Sequence, residues 1–279
     1  MGYEKTGDII REAYKNNYGV PSFNICNYET IKFAVDAAEI AGKPVIVQLY
    51  PGFRDYISFE ITVEITRRLA EKAKVPVGLH LDHCHDIETL KYAMRSGFLS
   101  VMYDGSKLPF EENIKTTLEA SEAAKEFGAD LEAELGNIGS AADISGYTDS
   151  SKFTDPDDAL KFLDETGINS LAVAVGNAHG DYAATPNLDL ARIEKISGLL
   201  KIPLVLHGGS GIPDEQLQKS VRLGIAKINV ATDFFRAFQL AASEYINDKS
   251  KKEDIFACMK ASKAKTMEFL AGKINLFNY

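Results

Sequence analysis

The chain has 279 residues, of which 45% are hydrophobic and 25% are charged, and this composition excludes a low-complexity chain. The formal net charge is −9, with acidic and basic residues interspersed, so the basic stripe of a nucleic-acid surface is missing. No run approaches the roughly 18 apolar residues that a membrane span needs. The three cysteines show no paired spacing and no secretory signal begins the chain. We therefore expect a cytoplasmic protein with neither a membrane nor a nucleic-acid partner.

Short apolar runs and longer amphipathic segments alternate along the whole chain. The apolar runs are rich in Val, Ile and Leu, which is typical of strands buried on both faces. They lie at Val20–Asn24, Pro44–Leu49, Val77–Leu81, Leu99–Tyr103, Asp130–Glu134, Ser170–Val175, Pro203–His207 and Ala226–Val230. The helical patterns lie at Glu29–Ala41, Phe59–Ala73, Ile87–Ser96, Phe110–Phe127, Pro156–Thr166, Leu188–Leu199, Asp214–Leu223 and Thr232–Asn247.

Eight strand-then-helix units predict one domain, residues 1–279, folded as a (β/α)8 TIM barrel of the α/β class. A doubly wound open sheet is the alternative, but it usually has a glycine-rich turn after its first strand. Here the first strand runs into Ile25-Cys26-Asn27-Tyr28, which is no such turn. The residues after Lys249 predict one further helix, which closes the bottom of the barrel or packs on a neighbour.

All five histidines of the chain fall at the ends of predicted strands: His80, His83, His85, His179 and His207. In a barrel these places converge on the C-terminal mouth, where the catalytic residues of this fold lie. A single histidine there is more often an ordinary hydrogen-bonded imidazole, but five on one face favour a common role. Three imidazoles from different strands suit a catalytic Zn²⁺ with an open coordination position.

Carboxylates accompany these histidines. Asp82 precedes His83, Asp104 follows the fourth strand, and Glu132 and Glu134 share one side of the fifth. A carboxylate beside a metal is kept ionised by the metal's charge. Alternatively, such a group only anchors a histidine ring. We expect direct chemistry from Asp82 far more than from Glu132.

Two loops at the mouth predict an anion site. His207-Gly208-Gly209-Ser210-Gly211 follows the seventh strand, and Asn229-Val230-Ala231-Thr232 follows the eighth and begins a helix. Backbone amides at glycine turns and helix N-termini bind anions. The loops after strands seven and eight are also where barrel enzymes commonly bind phosphate. Metal and phosphate at one mouth indicate chemistry on a small phosphorylated metabolite.

Two reaction classes fit a metal beside a phosphate. One is cleavage of a carbon–carbon bond, and the other is hydrolysis by a metal-activated water. Hydrolases of the amidohydrolase kind usually carry His-x-His at the end of the first strand. In this chain the pair His83-x-His85 follows the third strand instead, which disfavours hydrolysis.

Seven motifs at the predicted strand ends occur in a characteristic order and spacing. They are Tyr18-Gly-Val-Pro-Ser-Phe-Asn24, His80-Leu-Asp-His83, Ser100-Val-Met-Tyr-Asp104-Gly-Ser, Glu132-Ala-Glu134-Leu-Gly136, Ala178-His179-Gly180, Leu206-His207-Gly-Gly-Ser-Gly211 and Lys227-Ile-Asn229-Val-Ala-Thr232. From about residue 6 to residue 240 the chain resembles the class II fructose-1,6-/tagatose-1,6-bisphosphate aldolase family, and the Asn-Val-Ala-Thr form is closer to the tagatose-bisphosphate branch.

The resemblance implies a lyase that reversibly cleaves a ketose bisphosphate to dihydroxyacetone phosphate and an aldehyde. It implies that His83, His179 and His207 bind the catalytic Zn²⁺ and that Asp82 is the acid and base at the C4 oxygen. It matches Asp104 and Glu134 to a second divalent metal. It further implies Na⁺ or K⁺ near the phosphate and a homodimer or homotetramer. The residues implied to bind the phosphorylated sugar are Asn24, Gly180, Gly208, Gly209, Ser210, Asn229, Val230, Ala231 and Thr232.

The sequence departs from the family in the long loop at residues 135–155, which is typical of an active-site lid. Family members carry Gly-Gly-x-Glu-Asp there, and the glutamate takes the C3 proton of dihydroxyacetone phosphate. This chain has Gly139-Ser-Ala-Ala-Asp143, so Ala142 replaces that glutamate. Asp143, Tyr147 and Asp149 are the candidates for its role.

A second departure concerns the far end of the substrate. After Thr232, Asp233-Phe-Phe-Arg236 does not reproduce the pattern around a second phosphate in fructose-specific members. The available cations are Arg54, Lys107 and Arg236. One alternative substrate is therefore a ketose 1-phosphate with another C6 group, such as sulfofructose 1-phosphate or a deoxysugar phosphate. A further alternative is a catalytically altered metal-binding barrel with a binding or regulatory role.

Overall fold

The computed structural model describes residues 2–251 and 253–278. After a two-residue strand, β1 (Tyr3–Glu4), eight parallel strands pair in chain order, and the last pairs with the first to close a barrel. The predicted (β/α)8 barrel is confirmed. Its strands are β2 (Val20–Ile25), β3 (Val45–Leu49), β4 (Val77–Cys84), β5 (Ser100–Tyr103), β6 (Asp130–Leu135), β7 (Ser170–Val173), β8 (Leu204–Leu206) and β9 (Ile225–Val230).

Helices follow the strands and cover the outside of the barrel. Side-chain N-caps such as Asp86 and Asp155 begin several of them, and left-handed glycines such as Gly97 and Gly167 end them. None of the helices in the described part of the chain is both long enough and apolar enough to span a membrane. The helices are α1 (Thr6–Lys15), α2 (Tyr28–Ala41), α3 (Phe59–Ala70), α4 (Ile87–Ser96), α5 (Phe110–Glu126), α6 (Ile144–Thr148), α7 (Pro156–Thr166), α8 (Leu190–Leu200), α9 (Asp214–Arg222), α10 (Thr232–Asn247) and α11 (Ile255–Phe277).

The bottom of the barrel is closed by α1. Ile9, Ile10 and Ala13 of this helix form a buried cluster with Val20 and Ala226, which lie at the start of their strands. The last helix, α11, instead lies against α10 and α2 on the outside of the barrel. The suggestion that the last helix closes the bottom is therefore wrong, because the amphipathic α1 already buries its apolar face there.

The interior of the barrel is polar. TIM barrels usually fill this space with branched aliphatic side chains. Buried polar groups need hydrogen-bond partners, so such an interior persists only as a connected network. This network holds the polar groups at the mouth of the barrel in place. The buried polar side chains on the barrel strands are Ser22, Asn24, Gln48, His80, Asp82, Ser100, Glu132, Glu134, Ser170, Lys227 and Asn229.

Candidate active site

His83 reaches the mouth through an irregular end of β4. The pairing of β4 with β5 shifts register between Leu81 and Cys84, and the backbone of His83 has a φ of 44°. A positive φ is uncommon for a residue other than glycine, and such conformations concentrate at functional sites. The irregularity lets two sequence neighbours face the same space, with His83 Nε2 at 3.9 Å from Asp82 Oδ1.

Three histidines surround one point at the mouth. His83, His179 and His207 each offer a ring nitrogen, and the three nitrogens lie within 4.8 Å of one another. His179 Nε2 and His207 Nδ1 are buried without a hydrogen-bond partner. Buried polar atoms rarely remain unpaired, whereas neutral imidazole nitrogens are zinc ligands in catalytic sites with a fourth, open position. The donor set therefore fits Zn²⁺.

The opposite nitrogens of two of these rings are held by carboxylates. His83 Nδ1 lies 3.0 Å from Asp104 Oδ2, and His207 Nε2 lies 2.9 Å from Glu132 Oε1. Such a contact fixes the tautomer of the ring and turns its free nitrogen toward the metal position. Glu132 thus orients a ring, as its place in the sequence suggested.

A second group of possible cation ligands combines His83, Asp104 and Glu134. Glu134 Oε2 is buried and lies 3.3 Å from His207 Nδ1, but outside hydrogen-bonding geometry. Its free lone pairs therefore remain available to a cation. One nitrogen and two carboxylates suit a divalent metal, and His83 belongs to both groups.

The charges of the cluster are strongly coupled. Burial opposes protonation of His207, but Glu132 and Glu134 outweigh it and raise the pKa of this ring to about 10. Burial and the charge of His83 together lower the pKa of His179 to about 3. The carboxylates thus favour a positive charge among the three histidines, and a bound cation would supply that charge.

Asp82 is fixed by three side-chain amides. Its Oδ2 accepts hydrogen bonds from Asn24 at 2.9 Å and Gln48 at 3.0 Å, and its Oδ1 accepts one from Asn229 at 3.3 Å. Burial opposes ionisation, but the charges on His83 and other neighbours outweigh it, so the pKa of Asp82 lies below its ordinary value. An ionised, immobilised carboxylate beside a metal position suits a general base.

A small inner cavity of about 130 Å³ brings most of the predicted site residues together. His207, Asp104 and Glu134 contact the histidine cluster but do not line this cavity, and neither do Gly209 and Val230. Gly209 N donates to Asn229 O at 2.9 Å, and the Val230 side chain is buried in the core. The residues that line the inner cavity are Asn24, Gln48, Asp82, His83, His179, Gly180, Gly208, Ser210, Asn229, Ala231 and Thr232.

One end of the inner cavity combines a glycine turn with the start of a helix. Gly208 has a φ of 62°, and a Cβ on it would lie 1.9 Å from Ala178 O, so only glycine fits. The first turn of α10 has no side-chain N-cap at Ala231, although Asp233 N donates to Ser210 Oγ at 3.1 Å. A glycine turn beside an uncapped helix N-terminus is a typical phosphate site.

Comparison with known proteins agrees with this geometry. The sequence model of the family described as fructose-bisphosphate aldolase class-II matches residues 4–279. The chain belongs to this family. It is therefore an aldolase, an enzyme of the lyase class.

Solved structures resemble this aldolase over nearly its whole length. The YdjI aldolase from Escherichia coli K12 is 34% identical, with a TM-score of 0.88, and the match covers 99% of this chain and 97% of that one. A candidate fructose-1,6-biphosphate aldolase from Coccidioides immitis is 28% identical, with a TM-score of 0.85 and coverage of 98% and 96%. Fructose-bisphosphate aldolase from Campylobacter jejuni, at 23% identity, a TM-score of 0.85 and coverage of 99% and 95%, shares the fold.

The long loop of the aldolase, residues 136–153, lies over the mouth and is called the lid below. Ala141 N donates to His179 O at 2.8 Å, and His179 N donates to Gly139 O at 2.9 Å. Ala141 is also buried against Tyr147 and Tyr182. The lid is therefore attached directly to the segment that carries a histidine of the metal cluster.

The three candidates for the missing lid acid are bonded elsewhere in the aldolase. Asp143 caps α6 by accepting from Ser145 N at 3.1 Å, and Asp149 accepts from Ser151 N at 3.0 Å. Tyr147 is buried, and its hydroxyl donates to Ala184 O at 3.1 Å. Ala142 itself is exposed. The structure thus places none of these three side chains in the inner cavity.

An outer cavity of about 320 Å³ adjoins the inner one, and His83 lines both. It opens between the loops that follow β3 and β4. The three cationic side chains considered for the far end of the substrate lie in different surroundings. Arg54 lines the outer cavity, Arg236 forms ion pairs with Asp181 and Asp233, and Lys107 is exposed.

Two polar residues of the site were not predicted from the sequence. Gln48 holds Asp82, and Lys227 lies 2.9 Å from Glu132. Each stands between apolar neighbours on a buried strand, in Val-Gln48-Leu and Ala-Lys227-Ile. That interruption was the available signal, because a polar side chain on a buried strand must meet a partner.

Proposed function

We propose that this aldolase is zinc-dependent and reversibly cleaves a ketose 1-phosphate to dihydroxyacetone phosphate and an aldehyde. The observation that carries the proposal is the cluster of three histidines, two of which line the inner cavity together with one ionised aspartate and a phosphate-type cradle. Tagatose- and fructose-1,6-bisphosphate are the first candidates for the substrate. A ketose 1-phosphate with a different C6 group, such as sulfofructose 1-phosphate or a deoxysugar phosphate, is the alternative.

Different residues of the site bind the phosphate and the metal. Gly208, Ser210 and the first turn of α10 bind the phosphate, which places C2 and C3 beside the histidines. Zinc held by His83, His179 and His207 supplies Lewis acidity toward the oxygens of the ketose.

Asp82 performs the proton transfer at C4. In the cleavage direction it takes the proton of the C4 hydroxyl while the C3–C4 bond breaks, and in condensation it returns that proton. The amides of Asn24, Gln48 and Asn229 support this role, because they orient both oxygens of the carboxylate.

The group of His83, Asp104 and Glu134 supports a second divalent metal in the same proposal. A monovalent cation, Na⁺ or K⁺, near the phosphate completes the set of cofactors. We also propose a homodimer or homotetramer. Ile246, Ile255 and Phe256 support it, because each side chain is more than 70% exposed and a second copy would cover them. Light scattering on the purified protein would measure the mass.

The proposed reaction is tested with purified, zinc-loaded protein and a panel of ketose 1-phosphates. Release of dihydroxyacetone phosphate is followed with a coupled dehydrogenase, and metal content is measured on the same sample. We expect about one tightly bound zinc per chain and cleavage of at least one candidate. Release from none of them would leave the metal-binding barrel without aldolase activity as the better description.

A further inference from the structure

The outer cavity adjoins the metal cluster but lacks the left-handed glycine turn and the uncapped helix start of the inner cavity, since Asp86 caps α4. It shares His83 with the inner cavity and is more than twice as large, at about 320 Å³ against 130 Å³. We propose that the outer cavity receives the aldehyde half of the substrate and is specific for an uncharged, hydroxylated chain of four or more carbons. This inference rests on the proposed aldolase reaction and adds the substrate class to it.

The lining of the outer cavity offers both hydrogen-bond donors and acceptors. Arg54 Nη1 donates to Thr89 Oγ1 at 3.2 Å, and the remaining N–H groups of the guanidinium are left for a ligand. His85 Nδ1 donates to Asp104 O at 2.9 Å, which leaves the other ring nitrogen for a ligand.

The carboxylates of the outer cavity complete this pattern. Asp86 Oδ1 is used to cap α4, where it accepts from Thr89 N at 2.7 Å, which leaves its second oxygen as an acceptor. Asp55 lines the same cavity. Sugar hydroxyls both donate and accept, so a lining with both kinds of group can satisfy several of them at once.

The charges that line the outer cavity favour an aldehyde with a hydroxylated end over one with a phosphorylated end. The outer cavity is lined by one guanidinium, Arg54, and by two carboxylates, Asp55 and Asp86. The carboxylates outnumber the guanidinium among the charged side chains of this lining, which disfavours a dianionic phosphate relative to an uncharged chain. The other two cations do not change this balance. Arg236 is paired with Asp181 and Asp233, and Lys107 is exposed and lines neither cavity.

Tyr50 forms an aromatic wall of the outer cavity. Its ring lies over Gly52, where a Cβ would be 2.4 Å from Tyr50 Cε1, and packs edge-to-face on Phe53 at 5.8 Å between centroids. The backbone at Gly52 thus provides the space that this ring occupies. An aromatic face with a hydroxyl at its edge suits the carbon chain and the hydroxyls of a polyol.

The proposal is tested in the condensation direction with dihydroxyacetone phosphate and a set of aldehydes. The C3–C4 bond forms as C3 loses a proton and the aldehyde oxygen gains one, so no oxidant or reductant is needed. We expect kcat/KM for the tetroses erythrose and threose to exceed that for glyceraldehyde 3-phosphate by on the order of tenfold or more. A preference for glyceraldehyde 3-phosphate would overturn the proposal while leaving the aldolase function intact.

Exchange of the C3 hydrogen of dihydroxyacetone phosphate in D2O, followed by NMR without any aldehyde, separates the two proposals. This exchange requires dihydroxyacetone phosphate in the inner cavity and no aldehyde in the outer one. Protein that shows neither exchange nor condensation with any aldehyde would refute the proposed function itself. Exchange together with condensation only of phosphorylated aldehydes would refute the inference about the outer cavity.

Substitutions in the outer cavity test which of its side chains recognise the aldehyde. We expect Arg54→Met to raise KM for the tetroses by on the order of tenfold without changing the C3 exchange rate. Lys107→Met is the matched control and should change neither quantity. Asp55→Asn combined with Asp86→Asn should raise kcat/KM for glyceraldehyde 3-phosphate relative to that for the tetroses. The helix α4 should remain capped in this variant, because asparagine is also a good N-cap. The assignment fails if Arg54→Met and Lys107→Met behave alike.

Discussion

Lys227 and Glu132 form an ion pair at 2.9 Å in the centre of the barrel, where both side chains are almost completely buried. The second oxygen of Glu132 lies 2.9 Å from His207 Nε2. A chain of contacts therefore connects the lysine to the candidate zinc ligand. Burial opposes ionisation of Glu132, but the charge of Lys227 outweighs it and holds the pKa of this carboxyl far below its ordinary value.

Lys227→Met should destabilise the aldolase by about 3–5 kcal/mol, because Oε2 of the buried Glu132 loses its charged partner and His207 alone still compensates this carboxylate. Adding Glu132→Gln should recover part of this loss, since the second change removes the buried negative charge. Urea unfolding of zinc-free protein measures both variants. An equal loss in the single and the double variant would show that the pair has no energetic coupling.

Zinc binding and proton transfer should separate by mutation. His207→Ala removes a metal ligand, so we expect loss of both zinc and cleavage. Asp82→Asn keeps the shape of the side chain and removes its basicity, so zinc should remain while kcat falls by about 10²–10⁴-fold. Metal analysis and steady-state rates on the same preparations check this. Normal cleavage by Asp82→Asn would show that another group moves the C4 proton.

Zinc uptake should release protons. In the metal-free protein the pKa of His207 is raised to about 10, so this ring is protonated at pH 8 and must lose its proton to coordinate the metal. Zinc affinity should therefore fall as the pH falls, by about tenfold per pH unit for each displaced proton. Calorimetric titrations in buffers of different ionisation enthalpy count the protons. A binding enthalpy independent of buffer would contradict the assignment.

The glycine turn of the phosphate cradle should not tolerate a side chain. At Gly208 a Cβ would lie 1.9 Å from Ala178 O, and the φ of 62° disfavours alanine as well. Gly208→Ala should cost about 3 kcal/mol or more and weaken binding of dihydroxyacetone phosphate.

The control for this substitution is Gly198→Ala. Gly198 lies within α8, where a Cβ would meet nothing within 4 Å, so the change should stabilise by about 0.5–1 kcal/mol. Thermal unfolding measures both variants. Similar effects from the two changes would mean that the close approach at Gly208 is unimportant.

Much of the fold could be predicted because local signals agreed with the tertiary structure. Pro156–Thr166 and Ile87–Ser96 form helices with the predicted bounds. In both, an aspartate caps the start and a glycine ends the last turn. The helix α6, within the lid, was not predicted, because its five residues carry too little periodicity to distinguish them from a loop.

The site was predictable where residue type and strand position suffice, as for the histidines at the strand ends. It was not predictable where a contact crosses the barrel. Which amides hold Asp82, and which lysine neutralises Glu132, depends on strands far apart in sequence. The positive φ of His83 is likewise imposed by the register shift between β4 and β5, which no local pattern specifies.

The attachment of the lid to His179 has a kinetic consequence. The amides of Ala141 and His179 donate to each other's segments, so neither hydrogen bond survives if the lid lifts away. A ligand that immobilises the ring of His179 therefore also slows the detachment of the lid. Hydrogen exchange at these two amides should slow when zinc is added, and a protease should cut the lid more slowly at the same time.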